Sequence, residues 1–217
     1  MQIDGRIGDK DFFLRELSKR TDKAVAKRLT VSIAGIAGCG GIGSNIAISL
    51  TRAGIKKLVL VDFDKVAISD LNRQQYFVED IGNYKVDALS KILLRINPYL
   101  ELEKYAVEVT SDNLFILFSE VNIIFEAFDD VGAKSMIINA FLDKYGGNKF
   151  LVCASGMAGV MSSNLIQTKR LNDKVYVCGD FVSDADCGLG LLSSRVSITA
   201  NHQVSMGIRL LTGITEP

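Results

Sequence analysis

Six residues, Gly38-Cys39-Gly40-Gly41-Ile42-Gly43, space their glycines as G-x-G-x-x-G. Such spacing permits a tight turn and lets phosphate or ribose approach backbone N–H groups, provided a strand precedes it and a helix follows. Asp62, at the end of the next predicted strand, stands where a carboxylate accepts hydrogen bonds from ribose hydroxyls. Beyond it, Asp62-Phe63-Asp64 leads into Asp70-Leu71-Asn72-Arg73-Gln74-Gln75. Hydride transfer has no evident use for so many charged and amide groups, whereas a triphosphate does. Arg73 can donate several fixed hydrogen bonds to phosphate oxygens, and Asn72 and Gln75 can orient neighbouring ones. Lys85 either adds a point charge to the same crevice or is a solvated helix lysine. Asp129 and Asp130 follow another strand, where one carboxylate suits Mg²⁺ beside phosphates and one suits a helix N-cap.

The elements that must hold these groups alternate along the chain. An amphipathic helix is expected over 9–28, with Phe12, Phe13, Leu17, Ala24 and Leu29 as its apolar positions. Strands are expected at 31–36, 57–62, 101–107, 122–126 and 150–154. Helices are expected at 41–53, closed by Gly54, at 83–95, ending before Asn97-Pro98, at 111–118 and at 131–145. Residues 63–81 read as irregular and too polar for a core element. Two further strands, near 164–169 and 174–178, precede a Gly/Asp-rich loop and a last helix over 191–211. The alternation predicts an α/β fold: a doubly wound, mostly parallel Rossmann-like sheet with helices on both faces and a small antiparallel extension near the C-terminus. An N-terminal helical segment, 1–29, would precede one domain, 30–217.

Composition narrows the chemistry. Among 217 residues, 25 basic and 25 acidic side chains balance, so no global field favours nucleic acid or a membrane surface. Apolar runs stay near ten residues, short of a membrane span. The opening residues show no secretory pattern. Four scattered cysteines (Cys39, Cys153, Cys178, Cys187) make no C-x-x-C pair, which argues against a disulfide framework or a four-cysteine zinc site. A cytoplasmic protein is expected. The only histidine, His202, falls on the last helix and reads as a packed or solvated residue.

The ordered set G-C-G-G-I-G, D-F-D, D-L-N-R-Q, G-N-Y-K-V-D-A, I-N-P and E-A-F-D-D, spread over about residues 28–212, resembles the ThiF/MoeB/ubiquitin-activating family. In size it is similar to the ThiF-type adenylyltransferases of thiamine synthesis. That resemblance implies an ATP- and Mg²⁺-dependent enzyme that adenylates the C-terminal glycine carboxylate of a ubiquitin-like sulfur-carrier protein ending in Gly-Gly, working as a homodimer. It implies nucleotide-binding roles for Gly38, Gly40, Gly41, Gly43, Asp62, Asp64, Asn72 and Gln75. Arg73 and Lys85 would contact phosphates, and Asp129 would hold the metal. Many relatives bind zinc through two C-x-x-C pairs, and their absence here implies no zinc. An arginine acting across the dimer is Arg15, with Arg6 and Arg20 as rivals. Cys187 is a possible thiol acceptor or an ordinary loop cysteine. Two other readings stand beside this one: a small NAD- or flavin-binding oxidoreductase, and a non-catalytic scaffold. Molybdopterin or another sulfur-transfer pathway is an alternative to thiamine.

Overall fold

A computed structural model describes residues 8–144, 149–183 and 188–217. Strands β1 (Ile33–Ala37), β2 (Lys57–Val61), β3 (Glu101–Tyr105), β4 (Ile123–Glu126), β5 (Phe150–Ala154), β6 (Gln167–Arg170) and β7 (Val175–Gly179) form one sheet in the order β3-β2-β1-β4-β5-β7-β6. Every neighbouring pair is parallel except β6 and β7, which is the antiparallel extension. The inner strands are almost wholly apolar and buried, as parallel strands covered on both faces must be. At the edge, β3 carries charged side chains and stops at Tyr105, two residues short of expectation.

Among the described residues the α-helices are α1 (Lys10–Leu17), α2 (Lys23–Leu29), α3 (Gly41–Arg52), α4 (Lys85–Ile96), α5 (Leu114–Leu117), α6 (Val131–Lys144) and α7 (Ser193–Leu211). One core lies between the sheet and α3, α4 and α7, and the other between the sheet and α5 and α6. The sheet is therefore doubly wound. Its winding reverses between β1 and β4, the place where ligands of open α/β sheets bind.

Two expectations need correction. The predicted N-terminal helix is broken into α1 and α2. Ser18 turns its hydroxyl back onto the carbonyl of Leu14, and Asp22 caps a new start by accepting from the N–H groups of Ala24 and Val25. Of the five apolar positions expected on that helix, only Leu29 is buried, and Phe12 is exposed. The polar stretch 63–81 is also more interior than its composition suggests. Asp70 and Asp80 each close a 3₁₀ turn by accepting from Ala67 N–H and Phe77 N–H, and both are buried with Gln74 and Tyr76.

Candidate active site

A cavity of about 900 Å³ runs along the carboxyl ends of β2, β1, β4, β5 and β7. The glycine loop forms its floor between β1 and α3. Gly38 has φ +93°, and a Cβ there would lie 2.8 Å from the carbonyl oxygen of Ala127. A Cβ on Gly43 would lie only 1.8 Å from the Gly38 carbonyl oxygen, so this glycine shapes the loop from behind and does not line the cavity. Gly40 and Gly41 do line it. Gly40 begins α3 with no side chain capping the helix, which leaves backbone N–H groups at a helix N-terminus facing the cavity floor.

Asp62 directly follows β2 with both oxygens engaged: Oδ2 accepts from Cys39 N–H at 2.6 Å and Oδ1 from Asp64 N–H at 2.8 Å. Burial raises its carboxyl above the ordinary 3.8, opposed by those N–H groups and by the charge of Lys85. Lys85, the first residue of α4, is 7% exposed and donates to Asp64 Oδ2 at 2.8 Å. Burial pulls its ammonium down, but the Asp64 bond and the charges of Asp62, Asp64 and Asp70 outweigh that, and its pKa rises. The solvated-lysine alternative is thereby removed.

Arg73 lines the cavity with its guanidinium held by the Ser69 carbonyl and by Asn72 Oδ1, both at 2.9 Å. Asn72 does not line the cavity. It braces Arg73 and donates to Leu191 O at 3.3 Å, across to the segment before α7. Gln75 is likewise turned away, donating to Asn45 on α3 at 2.8 Å. Its neighbour Gln74, which sequence reasoning passed over, lines the cavity. Gln74 donates to Asp70 Oδ1 at 2.8 Å, and its buried Oε1 has no partner among the described residues. No spacing signal in a stretch that reads as irregular separates Gln74 from Gln75. Tyr76 was missed too: its hydroxyl donates to the Cys39 carbonyl at 2.7 Å, tying the polar segment to the glycine loop.

The two aspartates after β4 divide their roles. Asp130 accepts from Ala133 N–H at 2.6 Å and caps α6. Asp129 is exposed, lines the cavity and has no side-chain partner among the described residues. One unpaired carboxylate beside a phosphate site suits Mg²⁺, which takes few protein oxygens and completes its shell with phosphate and water. Among the described residues no group of three or more metal-ligating side chains occurs. Behind Asp129, fully buried Glu126 accepts from Phe128 N–H at 2.7 Å and from Lys134 Nζ at 2.8 Å. This pair, also unanticipated, fixes the turn that presents Asp129.

The remaining candidates fall elsewhere. Arg15 lies over the Phe12 ring on α1 and does not line the cavity, and neither does Arg20. Arg6 and Cys187 lie outside the described residues. Cys39, Cys153 and Cys178 are buried, and burial pushes their thiols up, Cys178 to about 12. His202 stays on α7, 3.2 Å from the Thr168 hydroxyl. No helix among the described residues is long and apolar enough to cross a membrane.

The sequence model of the ThiF family matches residues 13–217. The chain belongs to the ThiF family. It is 32% identical over 159 residues to ubiquitin-like modifier-activating enzyme 5 of Drosophila willistoni, covering 68% of this chain and 38% of that protein. It is 33% identical over 103 residues to the adenylyltransferase and sulfurtransferase UBA4 of Scheffersomyces stipitis, covering 47% and 23%. The ThiF-family chain thus spans no more than about two fifths of the length of these curated relatives. Among solved structures, the E. coli tRNA N6-threonylcarbamoyladenosine dehydratase TcdA in complex with ATP superposes with a TM-score of 0.83, covering 94% of this chain and 96% of that one at 19% identity. E. coli MccB with MccA-N7isoASN superposes with a TM-score of 0.66, covering 89% and 60% at 20% identity. Both likenesses are of fold.

Proposed function

We propose that this chain is an adenylyltransferase that uses ATP and Mg²⁺ to activate the C-terminal carboxylate of a small ubiquitin-like carrier protein. The observation that carries the reading is the convergence of Arg73, Lys85 and the unpaired Asp129 on one glycine-floored cavity. Family membership and the ATP complex of TcdA agree with it.

In this reading Asp62 accepts from the ribose hydroxyls through lone pairs not used by Cys39 and Asp64. Gly40 and Gly41 let the phosphates lie against the N-terminus of α3. Arg73 and Lys85 neutralise phosphate oxygens, Asn72 keeps the Arg73 fork in place, and Gln74 offers Oε1 to a nucleotide donor. Asp129 holds Mg²⁺, which when bound neutralises charge at the reacting phosphate. A carboxylate oxygen of the carrier bonds to the α-phosphorus while the bond to the bridging oxygen breaks, and that electron pair departs with pyrophosphate. The nucleophile is already ionised, so positioning and charge neutralisation suffice and no general base is required.

The carrier that the sequence resemblance implies is a ThiS-like protein of thiamine synthesis ending in Gly-Gly, and the enzyme would work as a homodimer. Arg15, on an exposed helix with no buried residue, and exposed Arg20 are both candidates to reach a partner subunit. The test is ATP–pyrophosphate exchange with purified protein, Mg²⁺ and a ThiS-type carrier, beside the same carrier lacking its last glycine. Exchange is expected only with the intact tail. ATP binding without exchange for any Gly-Gly carrier would favour the scaffold reading.

A further inference from the structure

The cavity extends past the strands that carry the nucleotide-binding candidates. Asp62, the glycine loop and Asp129 follow β2, β1 and β4, three adjacent strands. The same edge continues past β5 and β7, where Ser155–Ala158 and Phe181–Ser183 add two uncharged loops to the lining, beyond Lys134, which donates to Ala154 O at 3.3 Å. A wall of uncharged, largely apolar residues (Met157, Ala158, Phe181 and Val182 beside Ser155, Gly156 and Ser183) suits an extended peptide segment better than a polyphosphate.

Behind this wall lies an ion pair that the nucleotide chemistry does not use. Arg195, in the first turn of α7, is 3% exposed. Its Nε donates to Met157 O at 3.2 Å, its Nη1 to Met161 O at 2.6 Å and Ser162 O at 2.9 Å, and its Nη2 to Asp180 Oδ2. Asp180 Oδ1 accepts from the N–H groups of Val182 and Ser183, at 3.0 and 2.9 Å. The Ser183 hydroxyl donates to Asp180 Oδ2 at 2.6 Å and accepts from Ala158 N–H at 2.9 Å. Gly156, at φ +81°, must be glycine because a Cβ would lie 2.2 Å from Asp180 Oδ1. One buried pair therefore fixes both loops of the wall at once. Although burial alone would raise the Asp180 carboxyl, the Ser183 bonds and Arg195 hold it below its ordinary value. The pair is thus charged and fully engaged.

We propose that Asp180, Ser183 and Arg195 are positioning residues for the acceptor: they set the two loops against which the carrier's C-terminal segment lies as its carboxylate meets the nucleotide. This rests on the adenylation reading and specifies which part of the cavity takes the carrier. A residue that served stability alone would leave substrate constants unchanged.

The experiment measures KM for a ThiS-type carrier and KM for ATP, by exchange, in the wild type and in Ser183→Ala and Arg195→Lys. Both substitutions are mild enough to keep the fold, which melting temperature verifies. Arg195→Met would strand a buried carboxylate and is expected to unfold the wall. Losing the two hydrogen bonds of the Ser183 hydroxyl, or part of the Arg195 fork, should raise KM for the carrier about tenfold or more, with KM for ATP unchanged and kcat falling less than KM rises. An unchanged carrier KM in folded variants, or an equal rise in both constants, would overturn the positioning role alone. A wild type without carrier-dependent exchange would instead sink the adenylation reading, and this inference with it.

Discussion

Arg73 and Asp129 show how differently two functional side chains can be held. Arg73 is fixed beforehand by Ser69 and Asn72, so little rotamer freedom is left to lose when phosphate arrives. Asp129 is held only through its backbone, by the turn that Glu126 secures, and its carboxylate stays available for a cation. Arg73→Ala and Asp129→Ala should each forfeit about 2–4 kcal/mol of transition-state stabilisation while leaving the fold intact. Their signatures should differ. Asp129→Ala loses the response of exchange to Mg²⁺, while Arg73→Ala also weakens ATP binding at saturating Mg²⁺. Near-wild-type exchange in either variant would remove that residue from the mechanism. Lys85 is held beforehand as well, by its bond to Asp64, and three nearby carboxylates keep its buried ammonium charged at neutral pH.

At the scale of elements, the glycine loop is tied on all sides. Gly38 abuts the Ala127 carbonyl, Gly43 abuts Gly38, and Tyr76 hydrogen-bonds Cys39. Gly43→Ala forces a methyl group against a backbone oxygen that has no rotamer to yield. It should cost at least about 1–3 kcal/mol by overpacking. ATP affinity should fall even at temperatures where the variant is folded, since the floor itself must shift. A calorimetric titration showing wild-type affinity would contradict this. The loop was legible in the sequence because a buried apolar strand, a glycine run and a helix stand in fixed order. So were the parallel sheet and its antiparallel end, since apolar runs of strand length alternate with helical periods. The break after α1 was not legible, since it depends on Asp22 outcompeting helix continuation. Gln74 and Gln75 are chemically identical neighbours, and only packing against α3 decides which faces the cavity. Glu126 with Lys134 pairs β4 with the next helix, and Asp180 with Arg195 pairs the segment after β7 with α7. One-dimensional spacing carries no trace of such pairs.

For the whole molecule, the cavity touches the ends of five strands and the starts of α3, α4 and α6, so a ligand there binds the folded chain alone. ATP held at about 100 times its Kd should therefore add about 2.7 kcal/mol of stability. For a chain of 217 residues that corresponds to a rise in Tm of about 5–11 °C. The rise should grow further with Mg²⁺ in the wild type but not in Asp129→Ala. NAD⁺ shares the adenosine half of ATP but has no γ-phosphate to engage Arg73 and Lys85, so it should stabilise less at equal concentration. A larger shift with NAD⁺ than with ATP and Mg²⁺ would mean that the glycine loop and Asp62 serve a dinucleotide. The cationic rim at Arg73 and Lys85 would then need another explanation. A rise with ATP that Mg²⁺ leaves unchanged would keep the nucleotide site but move the metal away from Asp129.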